Sequence, residues 1–80
     1  MSKVDSGNMS KADMLIEYNV GDIVGYIMED NNITMSEAMA MLYNSKIFDK
    51  LHDVETGLYL DGSAYVYELF KEELEATKGI

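Results

Sequence analysis

His52 is the one imidazole in the chain, and it stands among carboxylates: Asp49 three residues before it, Asp53 and Glu55 just after it. An imidazole held by a carboxylate can serve as the base of a nucleophilic triad, which also needs a Ser or Cys nucleophile. Asp49 and His52 would share a helix face at that spacing. No motif fixes a nucleophile beside them, and a lone His among acidic residues on a short helix reads as surface. The same residues, Asp49, His52, Asp53 and Glu55, form an oxygen-and-nitrogen cluster of the kind metals take. Calcium loops need alternating oxygen ligands around a central Gly and a terminal Glu. Neither this segment nor Glu29-Asp30-Asn31-Asn32 supplies that register. Cys is absent, which excludes disulfides and thiolate metal sites. Gly57-Leu58-Tyr59-Leu60-Asp61-Gly62 has neither the Lys nor the spacing of a phosphate loop. Glu72 and Glu73 are adjacent, point apart on a helix, and read as a solvated face. These residues argue against an enzyme and require no cofactor, metal or small-molecule substrate.

Charge narrows the partners. Fifteen acidic residues face six basic ones, giving a net charge of −9, and every basic residue is Lys. Arg supplies the bidentate forks that grip phosphates and base edges, so its absence matters. A strongly negative domain is repelled by nucleic acid and by anionic membranes. One outline points the other way. Two short helices joined at Asn44-Ser45 resemble a helix-turn-helix, with Lys46 and Lys50 on the second. Asp49 and Asp53 cancel that pair, leaving a field close to zero or negative. No apolar run approaches the roughly 20 residues that span a bilayer. The opening Met1-Ser2-Lys3-Val4-Asp5-Ser6-Gly7-Asn8 lacks the apolar centre of a signal peptide, so a cytoplasmic location is expected.

The aromatic residues are more informative. Tyr59, Tyr65 and Tyr67 fall within nine residues, flanked by Leu58 and Leu60. Tyr65 and Tyr67 lie about 200° apart on a helix and cannot both face a core. Exposed Tyr and Met are enriched at interfaces, with Tyr at the core boundary as the plainer alternative. Leu58, Tyr59, Leu60, Tyr65 and Tyr67 are therefore the candidate interaction surface, for a protein partner or a homodimer. Tyr18 and Tyr43 add to the aromatic total.

The elements that must position these residues read as helices. Residues 1–9 look like a flexible tail, followed by one helical domain over 10–78. Met1–Asp5 is echoed by Met9–Asp13, which makes Met9 an alternative translation start. Ser10 with Asp13 opens a first helix over 10–30, with an apolar stripe at Ile16, Val20, Ile23, Val24 and Ile27. Gly21 and Gly25 weaken it and share a face where another helix could approach closely. Asn31-Asn32 ends it. Thr34 and Glu37 form a capping box for a helix over 35–44, with Ile33 stapled onto Ala38. Ser45 caps a third over 46–53, presenting Ile47, Phe48 and Leu51. A fourth spans 63–77, with Val66, Leu69, Phe70 and Leu74 inward. Near 54–62 the pattern breaks into one irregular or strand-like segment, in which Leu58-Tyr59-Leu60 reads as an extended stretch lying on the core or, since a lone strand needs an edge, pairing with a second subunit. The expected fold class is all-α, a compact bundle of four short helices. Its core is Ile16, Val20, Ile23, Ile27, Ala38, Met41, Leu42, Phe48, Leu51, Leu58, Val66, Leu69 and Phe70. A domain this small buries only about 60% of its unfolded surface and relies on close helix packing or association.

The runs Tyr43-Asn44-Ser45, Phe48-Asp49-Lys50-Leu51, Glu55-Thr56-Gly57-Leu58-Tyr59-Leu60 and Tyr65-Val66-Tyr67-Glu68-Leu69 resemble a family of short bacterial proteins with a domain of unknown function. The resemblance covers about residues 20–75. It implies a compact helical domain and a protein partner, some members of the group being encoded near toxin-like proteins of the ADP-ribosyltransferase fold. It carries over no catalytic residue. The sequence is thus read as a protein-interaction or regulatory module, antitoxin-like in form, with a degenerate helix-turn-helix regulator as the alternative.

Overall fold

The computed structural model describes residues 10–78, with helices α1 (Lys11–Asn31), α2 (Met35–Tyr43), α3 (Lys46–His52) and α4 (Ser63–Lys78). Two single 3-10 turns, η1 (Val54–Thr56) and η2 (Leu58–Leu60), precede α4. The all-α bundle is as the sequence indicates, each helix boundary falling within a residue of its expected place. The expected tail over 1–9 lies outside the described residues.

Local capping explains the boundaries. Ser10 Oγ accepts from the Asp13 amide at 3.1 Å, while the Asp13 carboxylate accepts from the Ser10 amide. Thr34 and Glu37 make the same reciprocal pair, at 3.2 and 3.0 Å. Bonds from the Thr34 amide and then its hydroxyl hold the Glu37 carboxyl below the usual carboxylate range. At its far end α1 stops because Asn32 turns left-handed, φ 53°, a conformation Asn tolerates better than most residues.

The N-terminus of α3 is closed from two directions. Ser45 Oγ accepts from the Phe48 amide at 3.1 Å. The Glu73 carboxylate, reaching across from α4, accepts from the Lys46 and Ile47 amides at 2.9 and 3.0 Å. Glu73 is therefore not part of a solvated face, as adjacency to Glu72 suggested. It satisfies two amides that a helix start leaves unpaired and sits at the favourable end of the α3 dipole.

α1 packs against α2 on one side and α4 on the other, α3 lies on α4, and η2 fits among α1, α3 and α4. α1 and α4 run in the same direction: Asp22 meets Ser63, and Tyr26 and Asp30 meet Tyr67. The core comprises Ile16, Ile23, Val24, Ile27, Ala38, Leu42, Ile47, Leu51, Leu58, Val66, Tyr67 and Phe70. Val20, Met41, Phe48 and Leu69, expected inside, pack at its edge instead. Val24, Ile47 and Tyr67 join the core beyond the expected set.

Two expectations are corrected. Leu58-Tyr59-Leu60 is a 3-10 turn, not a strand: Leu60 N–H bonds Gly57 O at 2.9 Å and Asp61 N–H bonds Leu58 O at 3.0 Å. Gly57, at φ 67°, separates it from η1. Leu58 N–H bonds Thr56 Oγ1 and Tyr59 O is taken by Asn19, so the segment presents no strand ladder to a partner. Gly21 and Gly25 mark no close helix contact either, since a Cβ at each would meet nothing within 4 Å.

Two stability predictions follow from these contacts. Gly21→Ala and Gly25→Ala should each raise the unfolding free energy by about 0.5–1 kcal/mol, read from denaturant melts. Glu73→Ala should lower it by about 1–2 kcal/mol, as expected when a helix N-terminus loses its cap. A neutral effect would mean that Glu73 does not close α3 in solution.

Candidate interaction surface

The middle of α1 and the turn η2 are joined by one buried side chain. Asn19 is inward-facing among aliphatic residues, and its Nδ2 donates to Leu15 O at 2.8 Å and Tyr59 O at 3.1 Å. Both protons of the amide are thereby used. Its Oδ1 is buried without a partner among the described residues, a cost of about 1–3 kcal/mol that the two donated bonds offset. Near this bridge Ser63 Oγ donates to Asp22 Oδ2 at 2.6 Å, tying the start of α4 to α1.

Around the Asn19 bridge the structure leaves apolar side chains in solvent. Tyr18 is 68% exposed and Leu60 66%, with Met14 and Leu15 also exposed on the first turns of α1. Tyr59 is half-buried against the core. Tyr65 is exposed on the outer side of α4. Of the five residues singled out from the sequence, then, Leu60 and Tyr65 are open and Tyr59 is partly so.

Leu58 and Tyr67 are not on the surface: they are only 8% and 7% exposed, which bears out Leu58 as a core residue and corrects the placing of both on the interaction surface. Leu58 points inward because a 3-10 turn advances about 120° per residue, so Leu58 and Leu60 cannot face the same way. Tyr67 lies between Tyr26 (ring centroids 5.2 Å apart) and Phe70 (6.1 Å), and its hydroxyl donates to Asp30 Oδ2. One of the Tyr65 and Tyr67 pair had to face outward, and it is Tyr65. Leu15, Tyr18 and Met14 are the exposed residues that the sequence did not bring forward together. Their signal was available as a second, outward apolar row at positions 14, 15 and 18, beside the inward stripe at 16, 20, 23 and 27.

The other candidate chemistry is not assembled into a site. His52 is exposed, its Nδ1 3.1 Å from Phe48 O and its ring against Phe48, which in turn lies on Tyr43. Asp49, His52, Asp53 and Glu55 are not gathered as ligands, and among the described residues no three His, Cys, Asp or Glu side chains are placed to hold an ion. Lys46 and Lys50 are exposed on α3, with Asp49 exposed between them in sequence. Among the described residues no helix is long and apolar enough to cross a membrane.

Compared with family models, with curated proteins and with solved structures, the chain matches none of them.

Tyr67 gives this region a pH dependence. Burial first, then the bond to Asp30 and the negative charges of Asp30 and Glu68, push its hydroxyl well above the ordinary tyrosine range. Below about pH 10 the tyrosine is protonated in both folded and unfolded chains and contributes no slope. Above it, the unfolded chain releases the proton while the folded one holds it, so stability falls as pH rises. Tyr67→Phe should reduce the loss of stability between about pH 8 and pH 11, compared by chemical denaturation at each pH. Equal losses in parent and variant would place the Tyr67 hydroxyl in water.

Proposed function

We propose that this chain is a protein-interaction module whose contact face is the apolar junction of α1 and η2. The observation that carries the reading is the exposure of Met14, Leu15, Tyr18 and Leu60 around the Asn19 bridge, on a domain of net charge −9 whose other exposed apolar side chains, Met35, Tyr43, Val54 and Tyr65, lie on other elements. Large apolar and aromatic side chains set in a polar rim are the composition of interface centres. The backbone beneath them is held on both sides, by Asn19 and by the Ser63–Asp22 bond, so little ordering is needed on binding. A regulatory, antitoxin-like role is the form the sequence resemblance suggests for such a module, and a catalytic role has no constellation to support it.

The helix-turn-helix alternative has weaker support. A recognition helix offers its N-terminal residues to base edges. In α3 the first amides are engaged by Glu73 and Ser45, the helix has seven residues, and Glu73 places a carboxylate at that end.

A photo-crosslinking residue placed at Leu60 tests the proposal. It should capture a defined protein in cells, and capture should fall sharply when Tyr18→Ser is added. The same probe with Tyr43→Ser, an exposed aromatic on the α2 side, should still capture. Capture unaffected by Tyr18→Ser, or none at all, would remove this face from consideration. A gel shift with duplex DNA at low salt should show no binding, whereas salt-sensitive binding would favour the alternative.

A further inference from the structure

At the far end of α1 from the Leu15–Tyr18 face, a groove of about 170 Å³ opens between the last turn of that helix and α4. Phe70, Leu74 and the Tyr67 ring give it an apolar wall, and Asp30, Glu75 and Lys71 stand at its polar side. Despite Lys71, three features make the groove negative on balance. Asp30 and Glu75 contribute carboxylates. The C-terminal end of α1 carries the negative end of a 21-residue helix, and no basic residue lies in its last turn. The domain as a whole carries −9.

The groove also holds an internal example of its guest. The Lys71 ammonium sits 4.9 Å from the centre of the Tyr67 ring, and it is drawn aside to Glu68 at 2.9 Å. An apolar wall with carboxylates at its mouth matches a side chain with an aliphatic stem and a cationic head. Such a guest would lay its methylenes on Leu74, with the buried Phe70 behind the wall, and place its charge near Asp30 and Glu75. A purely apolar guest would strand those carboxylates, and an anionic one would meet like charge.

We propose that this groove receives a Lys or Arg side chain from a basic segment of a partner protein. The inference rests on the reading of the chain as a protein-interaction module but not on the apolar face, so the two can fail separately. Lys71 then acts as a resident competitor whose removal opens the site.

The test is an NMR titration of the full chain with a short acetylated, amidated peptide alternating Arg and Ala, and with the same peptide carrying neutral citrulline for Arg. The Arg peptide should give saturable amide shifts centred on Asp30, Asn31, Lys71 and Glu75, and the citrulline peptide should give none. Glu75→Gln should weaken binding about two- to fivefold, the range of one partly exposed ion pair. Glu17→Gln, an equal loss of charge elsewhere on α1, should change it by less. Lys71→Gln should tighten binding, a result that loss of folding cannot imitate. Shifts spread over the acidic surface, equal effects of Glu75→Gln and Glu17→Gln, or weaker binding in Lys71→Gln would each overturn the proposal. If the groove binds while the Leu60 crosslinker captures nothing, the apolar face alone is lost.

Discussion

Asn19 spends its amide protons on two carbonyls far apart in the chain, Leu15 O within its own helix and Tyr59 O, forty residues on, in the turn before α4. Much of the arrangement depends on that choice. An aliphatic residue at this place would pack as well against Ile16 and Ile23, but it would leave Tyr59 O without its donor against the core. An unpaired buried carbonyl is expensive, so the turn would be expected to lift toward water. Leu58 would lose its seat with it. A polar residue in an aliphatic stripe therefore works here as a specific latch, and the unpartnered Oδ1 is the cost the fold accepts for it.

The same logic, polar atoms closing contacts that the small apolar core leaves open, recurs across the bundle. Glu73 joins α4 to α3, Ser63 joins α4 to Asp22, and Tyr67 joins α4 to Asp30. With no cysteine and twelve buried hydrophobic residues among those described, α4 is fixed by directional bonds at several levels along its length. Such bonds contribute modestly one by one, yet leaving the part-buried ones, Ile47–Glu73 and Tyr67–Asp30, unmade is costly, which favours one register over its neighbours.

This division also decides what could be read beforehand. The caps at Ser10, Thr34 and Ser45 were legible because donor and acceptor lie three residues apart, and spacing alone brings them together. The four helices and most of the core followed from those caps and from the inward stripes. Glu73, Asn19 and the Tyr67–Asp30 pair were not legible, because their partners lie 26 to 40 residues away and nothing local distinguishes them from surface residues. Of the five residues singled out, Leu58 was expected in the core and is there, while Tyr67 was expected outside and is buried. Periodicity showed that Tyr65 and Tyr67 must face opposite ways without showing which way. Three residues between glycines are also too few to tell a 3-10 turn from a strand, though the two dispose Leu58 and Leu60 differently.

That last distinction bears directly on function. Because α1 and α4 run parallel, the chain leaving α1 at Asn32 has to travel back before α4 can begin beside Asp22. α2 and α3 cover part of the return, and η1 and η2 complete it at the level of Asn19. In a strand, Leu58 and Leu60 would share a face and both could be buried, leaving Tyr59 alone outside. In a 3-10 turn about 120° separates successive residues, so burying Leu58 forces Leu60 away from the core. The exposed leucine next to Tyr59, the residue that Asn19 holds, is therefore a consequence of how the chain gets back to its starting level. Its neighbours on α1, Leu15 and Met14, have no such geometric obligation. Polar residues there would fold equally well, and their apolar character is what gives the face its case as a binding surface.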